Sequence, residues 1–215
     1  MARFLALGDS YTIGEGVDAS DRWPVRLAAL LRADGIQIGD PEFVAQTGWT
    51  TDELAAAIDE ANPSGPFDLV SLLIGVNDQY RGLEIGGFRE RFVSLLQRAV
   101  GLAEGSSSRV VIVSIPDWGV TPFARTKGRD VIRVAREIDA FNSVVRIEAA
   151  RASAQFVDVT PISRLASHDA SMLAFDSLHP SASMYRLWAK LALGAARTAM
   201  GRGGSGHGHG VTAAI

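Results

Sequence analysis

The feature that most limits what this chain can fold into is an alternation. Short runs of Leu, Val and Ile, apolar at nearly every position, recur between longer stretches whose apolar residues fall three and four apart. Short runs with no polar face suit strands buried inside a parallel sheet, and the longer period suits helices that cover such a sheet. Parallel strands cannot be joined by tight turns, so the intervening helices are the crossovers that an α/β fold requires. The pattern predicts strands at 3–7, 43–45, 69–74, 109–115 and 155–159, with helices at 23–33, 51–61, 88–103, 130–152 and 181–200. Asp52 and Glu53 follow Thr51 directly, and acidic residues in a first turn favour a helix start there.

The 215 residues suffice for one domain that buries about 70% of its unfolded surface. No repeat and no Pro- or Ser-rich linker divides the chain, so residues 1–200 read as one domain. Residues 201–215 hold six glycines and two histidines with little apolar periodicity, which predicts a disordered tail. A net charge of −3 offers no general attraction for nucleic acid, and no stretch approaches the roughly 18 to 20 apolar residues of a membrane span. The absence of cysteine removes thiolate nucleophiles, disulfides and cysteine-bound zinc. The leading apolar run, Phe4 to Leu7, is too short for a signal peptide, so a soluble cytoplasmic protein is the expectation; the oligomeric state is left open.

Ligands of open α/β sheets bind at the carboxyl ends of the strands, and polar residues gather there in this chain. The first strand runs into Gly8-Asp9-Ser10, the second into Gln46-Thr47-Gly48, and the third into Gly75-Val76-Asn77-Asp78. Asp176-Ser177-Leu178-His179-Pro180 precedes the last helix, with a carboxylate three residues ahead of an imidazole. Acyl transfer needs a nucleophile, a base, a group that orients the base, and donors aimed at a developing oxyanion. Ser10 supplies the first, His179 the second and Asp176 the third. The backbone N–H groups of Ser10 and Gly48 and the side-chain amide of Asn77 supply the donors, the lack of a side chain at Gly48 allowing close approach. Each short motif alone is most simply a turn or a cap, yet their joint chance occurrence is on the order of 10⁻⁵ from average residue frequencies.

These motifs, spread over residues 8 to 180, resemble those of the SGNH hydrolases, the GDSL esterase and lipase superfamily. Gly8-Asp9-Ser10, Gly48, Gly75-Val76-Asn77-Asp78 and Asp176 to Pro180 match its first, second, third and fifth blocks, and Tyr11 departs from the Leu of the family name. The resemblance implies a flavodoxin-like, three-layer α/β/α fold around a five-stranded parallel sheet. It also implies a serine ester hydrolase that needs no cofactor or metal and acts on a small-molecule ester. The blocks and their connecting elements use nearly the whole chain and leave little for a lid, so a substrate of short to medium acyl length is expected. Carbohydrate deacetylation, thioester cleavage and lysophospholipid hydrolysis use the same machinery, and a non-catalytic binding domain of the same fold is the alternative of another class.

Other readings carry less. His168 and Asp169 could join Asp176 and His179 around a metal, but the spacing fits no helical metal motif. Gly14-Glu15-Gly16-Val17-Asp18-Ala19 resembles a dinucleotide fingerprint but begins six residues too late after its strand. Asp9, Tyr11, Trp49 and Phe175 adjoin the motif residues and are expected to touch substrate. Trp23 and Trp118 are weighed as pocket walls against simple core packing, which is favoured for both.

Overall fold

The computed structural model describes residues 1–201. The predicted tail from residue 202 onward, with His207 and His209, lies outside the described residues. Five parallel strands form one sheet: β1 (Phe4–Gly8), β2 (Glu42–Ala45), β3 (Leu69–Leu73), β4 (Val110–Val113) and β5 (Gln155–Val157), in the order β2-β1-β3-β4-β5. Every residue of β1, β3 and β4 is buried, as strands covered on both faces must be, whereas the edge strands β2 and β5 are only partly buried.

Two layers of helices cover the sheet. α2 (Trp23–Ala33) packs on α9 (Ala182–Ala199) over one face, and α3 (Thr51–Ala61), α5 (Ile85–Leu102) and α7 (Val131–Ala152) cover the other. The split follows from strand order: the chain leaves β1 for β2 on one side and returns past it to β3 on the other. Right-handed crossovers then place their helices on opposite faces. The reversal opens a crevice at the carboxyl ends of β1 and β3, where ligands of such sheets bind.

α2 and α3 span the residues predicted for them, and the other three long helices differ by at most three residues at an end. Thr50 caps α3: its side chain accepts from the Glu53 N–H while the Glu53 carboxylate accepts from the Thr50 N–H. Four short helices escaped the sequence pattern: α1 (Ser10–Ile13), α4 (Val76–Tyr80), α6 (Pro122–Thr126) and α8 (Thr160–Ser163). None is long enough to show a period of 3.6 residues. Among the described residues, no helix is long and apolar enough to cross a membrane.

Candidate active site

β1 delivers the chain to the rim fully buried, and Asp9 then turns it. The Asp9 backbone is extended, at φ −120° and ψ −150°, and its Oδ1 accepts the Tyr11 N–H at 3.0 Å, capping α1 so that Ser10 is the first helical residue. Asp9 has no exposed surface, and its Oδ2 has no partner among the described residues. Burial pushes its carboxyl up to about 8, against the Tyr11 hydrogen bond and with a further push from Asp78. The expectation that Asp9 touches substrate is therefore corrected: a residue sealed beneath α1 positions its neighbour and meets no ligand.

The donors come from two further loops. Gly48 stands at φ +88°, where a side chain would be strained, although nothing in the protein lies within 4 Å of a Cβ placed there. The backbone angle, rather than crowding by the fold, is what requires glycine. Arg81 Nη2 donates to the Gly48 carbonyl at 2.7 Å, which holds the peptide that follows Gly48 in place. Asn77 opens onto the same cavity from the first turn of α4, and its Nδ2 donates to the Trp49 carbonyl at 2.9 Å. One amide hydrogen is thereby committed, and the second remains for another acceptor. Among the described residues, neither the Ser10 nor the Gly48 N–H has a protein acceptor.

Asp78 locks these loops together from below. Its Oδ1 accepts from Thr51 Oγ1 at 2.6 Å and its Oδ2 from the Thr51 N–H at 3.0 Å, joining α4 to the start of α3. Burial raises the Asp78 carboxyl above its ordinary range, offset in part by the Thr51 bonds and by Arg91.

The base sits on a tight turn ahead of α9. Asp176 Oδ1 accepts the N–H groups of Leu178 and His179, both at 2.9 Å, and Oδ2 lies 2.6 Å from His179 Nδ1. Burial works to raise this carboxyl, but the hydrogen bonds from the His179 ring and from the His179 and Leu178 N–H groups outweigh it, so the pKa is lowered. An ionised carboxylate only accepts. Nδ1 therefore carries the hydrogen, and in the neutral imidazole Nε2 keeps the lone pair that a general base requires.

These parts meet. Ser10, Gly48, Asn77 and His179 line one cavity of about 190 Å³, together with Tyr11, Thr47, Val76, Tyr80, Trp118, Phe123 and Leu178. The Tyr11 and His179 rings are 5.5 Å apart at their centroids, so the residue after the serine packs on the imidazole. Tyr11 was expected at the site and lines it.

Two other expectations are corrected. Phe175 is 91% exposed and lines a different surface hollow, with Gly16 and Val17, because the turn that points His179 inward carries Phe175 outward. The Trp49 ring packs against the core and does not line the cavity; its carbonyl contributes instead, by holding Asn77. Trp23 is a core residue, 1% exposed. Trp118, for which core packing was favoured, is both buried and part of the cavity wall.

Sequence reasoning missed Thr47, Val76, Tyr80, Phe123 and Leu178 as walls. Tyr80 follows Asn77 by three residues, which on a helix places both on one face, so recognising α4 would have revealed it. Among the described residues, no group of three or more His, Cys, Asp or Glu side chains could hold a metal ion. Asp169 instead accepts from the Ser171 N–H and hydroxyl.

The model of the GDSL-like Lipase/Acylhydrolase family matches residues 6–187. No curated protein matches the sequence at a significant level. Among solved structures, TesA superposes with a TM-score of 0.70 at 20% identity, covering 92% of this chain and 99% of its own. A lipase/acylhydrolase from Enterococcus faecalis gives 0.69 at 20% identity, covering 94% and 97%. The acetylxylan esterase Axe2 from Geobacillus stearothermophilus gives 0.68 at 21% identity, covering 93% and 94%. At these identities the likeness is one of fold.

Proposed function

The chain belongs to the GDSL-like Lipase/Acylhydrolase family, and from that premise we propose that it is a serine carboxylesterase acting on short acyl esters through an acyl-enzyme intermediate. The observation that carries this reading is the Asp176–His179 pair, 2.6 Å apart, with its imidazole on the cavity that Ser10 also lines.

His179 Nε2 takes the Ser10 hydroxyl proton as Oγ attacks the ester carbonyl carbon. The carbonyl electron pair moves onto oxygen, which accepts from the Ser10 and Gly48 N–H groups and from the second N–H of Asn77. The tetrahedral species collapses, the bond to the alcohol oxygen breaks, and that oxygen takes the proton from His179. Water then attacks the acyl-serine, gives a proton to His179 and leaves the carboxylic acid, while Oγ recovers its proton. Asp176 stays ionised throughout and stabilises the imidazolium that forms in each half.

The small cavity favours a short acyl group. Treatment with a fluorophosphonate followed by peptide mass spectrometry tests the assignment. A label on the peptide containing Ser10, lost in Ser10→Ala, is the expected result. A label on another residue, or none at all, would overturn it.

A further inference from the structure

A second cavity adjoins the first. It measures about 650 Å³, and its walls include Gln79, Arg129, Arg133, Glu137 and Phe141. Tyr80 and Trp118 line both cavities. Their rings meet edge to face with centroids 5.3 Å apart, forming a partition two side chains wide. The cavity of about 190 Å³ falls short of the roughly 300 to 1,000 Å³ of typical ligand pockets, whereas the one of about 650 Å³ lies within that range. Tyr80 and Trp118 thus stand between the Ser10 cavity and the larger space.

The two halves of the partition are held differently. Trp118 is 3% exposed, and its Nε1 donates to Gln79 Oε1 at 2.8 Å. Gln79 Nε2 donates in turn to Glu137 Oε2 at 2.7 Å, and Arg133 Nε donates to Glu137 Oε1 at 2.7 Å. That chain of hydrogen bonds anchors the indole to α7. Tyr80 is 38% exposed, and among the described residues its hydroxyl makes no hydrogen bond. Its ring rests against the edge of Trp118 on one side, with the Arg129 guanidinium 4.8 Å from its centroid. Tyr80 is thus the half of the wall that can be removed without disturbing a buried network.

We infer that Tyr80 is the specificity-determining residue for acyl length: its ring closes the Ser10 cavity against the larger one and limits the acyl group to a few carbons. This rests on the esterase reading above. An acyl chain extending from Ser10 between Val76, Trp118, Phe123 and Leu178 meets the Tyr80 ring, and without that ring the chain continues into the space beyond.

The test compares kcat/KM for p-nitrophenyl acetate, butyrate, hexanoate and octanoate across variants of the full chain. In the native protein the value falls beyond butyrate, since one methylene that a pocket cannot take costs roughly tenfold or more. Tyr80→Ala raises the octanoate-to-acetate ratio by about tenfold or more, and Tyr80→Phe, which keeps the ring, returns the native ratio. Tyr80→Val serves where the alanine variant is poorly folded, as judged by its melting temperature. A native ratio in folded Tyr80→Ala or Tyr80→Val overturns the inference, as does a native enzyme that prefers octanoate. A native enzyme inert to all four esters and to the fluorophosphonate overturns the esterase reading, and this inference with it.

Discussion

Ser10 stands at the end of the second strand of the sheet, between β2 and β3, with the residues that lead to it wholly buried. His179 stands on a turn outside the sheet, beside a phenylalanine that is 91% exposed. The strand ladder holds the nucleophile in place, so its position is coupled to the stability of the whole domain. The base is held mostly by its own turn: Asp176 accepts two backbone N–H groups, the Ala174 N–H donates to the His179 carbonyl at 2.8 Å, and a bridge pairs Leu173 with Pro180, with the Tyr11 ring and the Phe123 N–H bond to the Ser177 carbonyl added from outside it. Ser177 takes φ +60° to close this turn. The two arms therefore divide the work. Changes beneath the serine are felt in folding, and changes on the turn are felt in turnover.

Substitutions can break or sharpen that contrast. The largest effect is expected on the turn. In Asp176→Asn the remaining carbonyl oxygen can still accept the backbone N–H groups that shape the turn, but the amide nitrogen faces Nδ1 and imposes the wrong imidazole tautomer. Turnover should fall by about 10⁴-fold with little change in melting temperature. A similar loss of stability and activity together would show that the turn is not locally held.

Next comes the strand side. A Cβ at Gly8 would collide with the Thr12 side chain and the Leu73 carbonyl, so Gly8→Ala is expected to destabilise the domain by about 3 kcal/mol in urea denaturation. Native stability in that variant would mean that the end of β1 is looser than its packing implies.

Asp9 carries a distinct pH signature. Its folded pKa is raised to about 8 from 3.8, so the native state retains a proton that the unfolded chain releases. The stabilisation is full below the unfolded value and is lost as pH rises toward and through about 8. Asn mimics the protonated carboxyl and keeps an acceptor for the Tyr11 N–H. Asp9→Asn should therefore gain stability over the native protein more at pH 9 than at pH 5, as followed by thermal melts. Parallel pH dependence in the two proteins would contradict it.

The smallest effect is expected at Phe175. Exposed on the outer side of the turn, Phe175→Ser should change stability by no more than about 0.5 kcal/mol and leave p-nitrophenyl acetate turnover near native. A large rise in KM would return Phe175 to the substrate path.

The regular elements were legible because their signals are local. Strands β1, β3 and β4 are apolar at nearly every position, and each long helix repeats its apolar residues over three or more turns. The motif residues were legible for a related reason, since each lies just after a strand or just before a helix. The surroundings of those residues were not legible in the same way. Phe175 and Asp176 are neighbours in sequence yet face opposite directions, and Asp9 adjoins Ser10 yet never reaches the cavity. Adjacency along the chain says little about direction at a turn, where one residue in a left-handed conformation reverses the path.

By itself the sequence determined an α/β sheet with polar residues collected at the ends of its strands, because burial on two faces and helical period are properties of short segments. Only the tertiary structure decided which aromatic side chains wall the cavity and how large it is. Tyr80 ends the short helix after β3, Trp118 follows β4, and the two meet because β3 and β4 are neighbours in the sheet. A cavity is the space left when elements distant in sequence pack together, so its walls follow from packing, and no periodicity in the chain encodes them.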